Sequence, residues 1–108
     1  MVAEIYSLMP LYPKEERYAL CDQMRRSAVS VTSNLAEGMG RESIKEQIHF
    51  IEISYGSLLE LYSQLQVSVD LGYITNENYE SKRIIIVEVA KMLSKLRAIR
   101  REKLSCEQ

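Results

Sequence analysis

Three features of the sequence predict an all-α fold, an antiparallel up-and-down four-helix bundle. Apolar residues at Ile44, Ile48, Ile51, Tyr55, Leu58, Tyr62, Leu65 and Val69 follow a 4-3-4-3-4-3-4 spacing, which places them on one stripe of a long helix. Only Leu71 to Thr75 separates this helix from the next periodic segment, and so short a link makes the two helices antiparallel neighbours. The last segment carries a core stripe (Tyr79, Ile86, Leu93, with Val89 and Leu96) and an additional heptad line, Ile85, Met92 and Ile99. At about 1.5 Å per residue the long helix would span roughly 39 Å. A helix of that length cannot stand alone, so the other segments must lie along it.

The bulk numbers set the frame. A chain of 108 residues is one domain, 1–108, and its 46% hydrophobic and 27% charged content with two prolines fits a globular protein rather than a disordered one. A net charge of −1 argues against a strong nonspecific nucleic-acid binder, yet leaves room for a local basic patch. Cys21 and Cys106 form no CxxC pair and fall near opposite ends of the expected bundle, which suits a reducing cytoplasm. Met1 to Leu8 contains Glu4 and lacks the basic and long apolar regions of a signal peptide. Nowhere do 18 consecutive apolar residues occur, so no membrane span is expected.

Along the chain, Val2 to Leu8 is compatible with two helical turns, and Met9-Pro10-Leu11-Tyr12-Pro13 interrupts any helix. Pro13 suits a first helical position, and Glu15 and Glu16 suit the positive end of a helix dipole. A second helix is therefore expected from Pro13 to about Glu37, with Leu20, Met24, Ser27 with Ala28, Val31 and Leu35 as its stripe. Small residues crowd its second half (Ser27, Ala28, Ser30, Ser33, Ala36), which suggests the close approach of another helix. Gly38-Met39-Gly40 should end it. Ser43-Ile44-Lys45-Glu46 reads as a capping box for the long helix, and Gly72 closes that helix.

The long helix also carries Phe50, Ser54, Ser57, Leu61, Gln64 and Ser68, a second 4-3 line about 120° from the first. An exposed helix does not need a second ordered line, so this is read as a second packing face, with Phe50, Ser54, Ser57 and Leu61 as candidate oligomer contacts. Gly56 costs about 1 kcal/mol in a helix interior, and a tight helix crossing would account for it. Thr75 should cap the last helix, which runs to about Leu104. Ile84-Ile85-Ile86-Val87 places apolar side chains on every side of that helix. One small bundle cannot bury all of this together with Met92 and Ile99, so a homo-oligomer is expected, with Ile85, Met92 and Ile99 in its interface.

The run from Gln23 to Gly38 (QMRRSAVSVTSNLAEG) resembles the signature of the four-helix-bundle family also called the 23S rRNA intervening-sequence, or S23 ribosomal, proteins. The stretches Pro13 to Leu20, Gly56 to Leu61 and Leu71 to Ile74 are similar to the family pattern as well, so the resemblance covers roughly Ile5 to Leu96. It implies an antiparallel four-helix bundle assembled as a ring-like homopentamer. No enzymatic activity and no cofactor are implied. Some members are encoded within insertions in 23S rRNA genes, and a related branch binds nucleic acid beside reverse transcriptases. The family's first helix is usually longer and opens with an aromatic-rich turn that is absent here.

Candidate chemistry is sparse. Glu46-Gln47-Ile48-His49 is an ExxH, the ligand pair of di-iron bundles, but it occurs once and with the sole histidine. With Ile44 as origin, Glu46 and His49 fall at about 200° and about 140°, away from the core stripe, so a solvated pair is the better reading. Gly38-Met39-Gly40-Arg41 lacks the ending of a P-loop and follows a helix, so it is read as a connecting loop.

The basic residues carry more. The antiparallel layout brings Arg97, Arg100, Arg101 and Lys103 to the same end as Arg41 and Lys45, a candidate RNA-binding surface. Glu37, Glu42, Glu46 and Glu102 share that end, and an ordinary solvated face is the simpler alternative. Arg25 and Arg26 are assigned a structural role, either in the oligomer interface or, more simply, in helical pairing with Asp22. The expected partners are further copies of the chain, with RNA or another nucleic acid, or a protein, as a second partner, and no membrane. The tyrosines count as core or interface amphiphiles.

Overall fold

The computed structural model describes residues 1–107, and its regular structure is entirely helical. Helix α1 (Val2–Tyr6) is followed by two 3-10 turns, Met9–Leu11 and Lys14–Glu16, and then by α2 (Leu20–Met39), α3 (Ile44–Asp70) and α4 (Asn76–Glu107). Short links place α2 antiparallel to α3, and α3 antiparallel to α4. The result is a rod of 52 × 24 × 18 Å. Its radius of gyration is 15.6 Å, against about 13 Å for a compact chain of this length. Among the described residues no helix is long and apolar enough to cross a membrane.

The long helix begins and ends where its punctuation places it. Ser43 is the N-cap, its hydroxyl accepting from the Glu46 amide at 3.4 Å. At the other end Gly72 adopts φ +76°, and the Tyr73 amide donates to the Ser68 carbonyl and the Gly72 amide to the Val69 carbonyl, both at 3.0 Å. These are the paired bonds of a Schellman motif, and they satisfy carbonyls that the helix end leaves open. Thr75 caps α4 by accepting from the Asn78 amide at 3.0 Å.

Helix α3 is covered on two sides. Its first stripe faces α4: the Tyr62 and Tyr79 rings meet edge to face at 6.4 Å, and the Tyr79 hydroxyl donates to Gln66 Oε1 at 2.8 Å. The hydrogen bond with Tyr62 and then burial push the Tyr79 hydroxyl up to about 12. The folded state thus holds that proton more tightly, a contribution present below the ordinary tyrosine value of 10.0 and lost as pH rises towards 12.

The second line is the more deeply buried, and it faces α2 within the same chain. Ser54, Leu61 and Ser68 are inaccessible to solvent, and Gln64 is buried. The Ser54 hydroxyl donates to the Val31 carbonyl at 2.6 Å, and Ser30 and Ser57 share a hydrogen bond at 2.8 Å. Tyr12 is anchored to the end of this seam, its hydroxyl donating to Ser68 Oγ at 2.7 Å. Fully burying side chains such as Leu58, Leu61 and Leu65 stabilises the fold by about 1.5–3 kcal/mol each.

Three expectations are corrected. Helix α2 starts at Leu20, not Pro13, because the proline and acidic residues cap only the 3-10 turn Lys14–Glu16, and Ala19 then breaks the run with φ −117°, ψ −99°. Gly38 lies inside α2 rather than ending it: a Cβ there would meet the Phe50 Cβ at 2.8 Å, so this glycine lets α3 approach. Gly40 is the C-cap. Gly56, in contrast, is exposed, with no atom within 4 Å of an added Cβ, so no crossing within the chain explains it.

The same geometry sets two expectations for stability and reactivity. Gly38→Ala should destabilise by about 1–3 kcal/mol through overpacking against Phe50, less the helix-propensity gain. Gly56→Ala, with open space around it, should stabilise by about 0.5–1 kcal/mol. Urea unfolding of both variants checks the opposite signs. The two cysteines are free, Cys21 buried with its thiol pushed up by desolvation and Cys106 exposed. In the native protein an aromatic disulfide reagent should titrate Cys106 at least about tenfold faster than Cys21, with the difference vanishing in denaturant.

Candidate nucleic-acid interface

The α3–α4 seam brings the N-terminus of α3 beside the C-terminal turns of α4. A salt bridge marks that register: Arg101 Nη2 lies 2.7 Å from Glu52 Oε1. Of the six basic residues expected to gather here, three are already engaged. Arg41 pairs with Glu37 one turn back on α2, and its guanidinium sits 5.0 Å from the centre of the Phe50 ring. Arg97 lies over the Tyr55 ring at 5.5 Å, a cation–π contact. Arg101 is held by Glu52 as described.

The other three converge. Lys45, Arg100 and Lys103 line one cleft of about 360 Å³, together with Glu42, Ser43, Gln47 and Glu107. The cleft opens at the first turn of α3, where unpaired amides and the helix dipole favour an anion. Arg100 is half-buried, and its Nε is shielded from solvent without an acceptor among the described residues. An acceptor brought in by a ligand would relieve that orphaned donor. Lys45 and Lys103 are exposed and have no carboxylate within 4 Å among the described ion pairs.

The remaining candidates fall elsewhere. Ser54 and Leu61 have no surface left for a second chain, Ser57 is bonded to Ser30, and half-buried Phe50 packs on Gly38 and Arg41. The assignment of Ser54 and Leu61 to an oligomer interface is therefore corrected, because the α2–α3 seam of their own chain buries them, whereas Phe50 and Ser57 keep part of their surface. Arg26 pairs with Asp22 at 3.2 Å, and Arg25 donates to the Arg17 carbonyl at 3.0 Å. Both bonds are structural and lie within the chain.

On α4, Met92 is 70% exposed, Ile99 49% and Ile84 54%, with Ile85 half-buried beside them. Glu46 and His49 lie on the surface of α3, His49 against the edge of Phe50. Among the described residues no group of three or more His, Cys, Asp or Glu side chains is placed to hold a metal ion.

Missed by sequence reasoning is a second cationic group, Lys14, Arg17 and Arg25, which lines a larger cleft at the opposite end of the rod. The signal for it was spacing: Lys14, Arg17 and Arg25 fall at i, i+3 and i+11, one side even of a helix continued back to Pro13.

An elongated three-helix seam with a short N-terminal helix and an α4 face left open defines an antiparallel helical-bundle protein. That fold is shared by a solved structure from Bacteroides thetaiotaomicron VPI-5482, described as a protein of unknown function from the S23 ribosomal protein family. The two share 23% identity over 88% of this chain and 86% of that one, with a TM-score of 0.77. The family model for the 23S rRNA-intervening sequence protein matches residues 1–95, and the chain belongs to that family. Comparison with curated proteins returns no match.

Proposed function

We propose that this chain is a non-enzymatic, self-associating protein of the cytoplasm that binds RNA through the end of the rod where α3 begins and α4 ends. The observation that carries this reading is the convergence of Lys45, Arg100 and Lys103 on one cleft at the first turn of α3. The orphaned Arg100 Nε supports an anionic occupant, and the family's association with 23S rRNA supports RNA as the partner class. Glu42 and Glu107 temper the field, so a single chain offers a local excess of one positive charge. Repetition around a symmetry axis multiplies that excess, and phosphate affinity rises with the number of contacts.

Self-association rests on the open α4 face. Met92 and Ile99, one heptad apart on α4, and Ile84 nearer its start are large apolar side chains that a lone chain leaves in water. The five-membered ring implied by the family resemblance is the assembly we propose. Light scattering coupled to gel filtration should then give roughly five times the 12.5 kDa chain mass. A double variant Met92→Lys/Ile99→Lys should elute as a folded monomer. A wild-type mass of 12.5 kDa at micromolar concentration would remove the association.

The same α4 face favours a second reading, a scaffold whose partner is another protein. Salt-dependent RNA binding separates the two. The RNA reading expects affinity for structured RNA that falls steeply with salt, and a loss of at least about tenfold in Lys45→Glu/Lys103→Glu. Absence of RNA binding at low salt, with a defined protein retained by wild type and lost by Met92→Lys, would leave the scaffold.

A further inference from the structure

At the end of the rod opposite the basic cleft, the two 3-10 turns and the start of α2 enclose a cleft of about 660 Å³, the size range of small-molecule sites. Its location follows from the fold. Tyr12 is pinned to Ser68 near the C-terminus of α3, and the break at Ala19 turns the chain before α2 begins, so the segment between them arches over the α2 N-terminus. One wall is apolar, built from Met9, Pro10, Tyr12 and Pro13 with Tyr6 beside them.

The remaining wall is cationic. Lys14, Arg17 and Arg25 all line the cleft, and no acidic side chain does. Among the described residues none of the three has a carboxylate within 4 Å, in contrast to Arg26, Arg41, Arg83 and Arg101, each of which is paired. Asp22, close by on α2, is held by Arg26. Arg25 is oriented by the bond from its Nη2 to the Arg17 backbone carbonyl, which holds its guanidinium against the turn that precedes α2.

We propose that this cleft is a binding site for a small organic anion: an apolar body resting on Met9, Pro10 and Tyr12, and one acid group meeting Lys14 and Arg17. Charge complementarity selects that class. An uncharged apolar molecule makes no use of the three cations, and an inorganic anion leaves the apolar wall wet. The site is independent of the RNA reading, because it lies at the other end of the molecule and uses none of the same residues.

Anilinonaphthalene sulfonate, an apolar body with one acid group, and phenylnaphthylamine, its uncharged counterpart, form the test pair. The sulfonate should bind wild type saturably at one per chain with a rise in fluorescence, and at least about tenfold tighter than the uncharged dye, as an added ion-paired group commonly gives. Lys14→Glu/Arg17→Glu, at two exposed positions, should weaken the sulfonate at least about tenfold while circular dichroism stays unchanged. Met92→Lys should leave it within about twofold, since that side chain lies on the α4 face. Equal affinity of the two dyes, indifference to Lys14→Glu/Arg17→Glu, or loss of binding in Met92→Lys would each overturn the proposal.

Discussion

Helix α3 has to be covered on two sides at once, and the rest of the molecule follows from that demand. Its aliphatic and tyrosine stripe meets α4, and its line of small residues meets α2. A helix flanked by two antiparallel partners cannot sit at the centre of a round core. The chain therefore forms a rod 18 Å across its thinnest direction, less than two helix diameters. Such a slab leaves outward faces on α2 and α4 that a fuller bundle would bury.

The two seams are made differently. Against α4, large rings and aliphatic side chains interdigitate, and burial of apolar area dominates. Against α2, small side chains let the backbones approach, and the polar atoms this buries must find partners nearby. They do: Ser54 reaches the Val31 carbonyl, Ser68 back-bonds to Gln64 at 2.7 Å while accepting from Tyr12, and Ser57 meets Ser30. Gly38 completes this seam by giving Phe50 room. A hydroxyl that bonds to a backbone carbonyl across the seam also sets register, because sliding by one residue would strand it.

Function is shaped by which charges the seams leave free. The basic end of α3 and α4 owes its existence to antiparallel packing, but the same packing sets Glu37 beside Arg41 and Glu52 beside Arg101. Exposed pairs of this kind contribute little stability, yet they cancel field locally. What remains at that end is Lys45, Arg100 and Lys103. The opposite end holds Lys14, Arg17 and Arg25, with no carboxylate in the cleft wall. A near-neutral chain thus carries two cationic clefts separated by the length of the rod.

The fold class, the bounds of α3, its Ser43 and Gly72 caps and the antiparallel order were legible in the sequence, because heptad spacing and capping chemistry are local. So was the surplus of apolar residues on α4, since Met92 and Ile99 fit no stripe that a neighbour covers. The tertiary structure alone decided what α3's second line touches. Periodicity shows that a face is ordered for packing, but Ser54 and Leu61 look the same whether the covering helix comes from the same chain or another. It alone decided the meaning of the glycines, for Gly38 and Gly56 are both helical and only the distance to a neighbour tells them apart. And it alone divided the basic residues into paired and free, because a salt bridge between Glu52 and Arg101 joins positions remote in sequence that only packing brings within 2.7 Å.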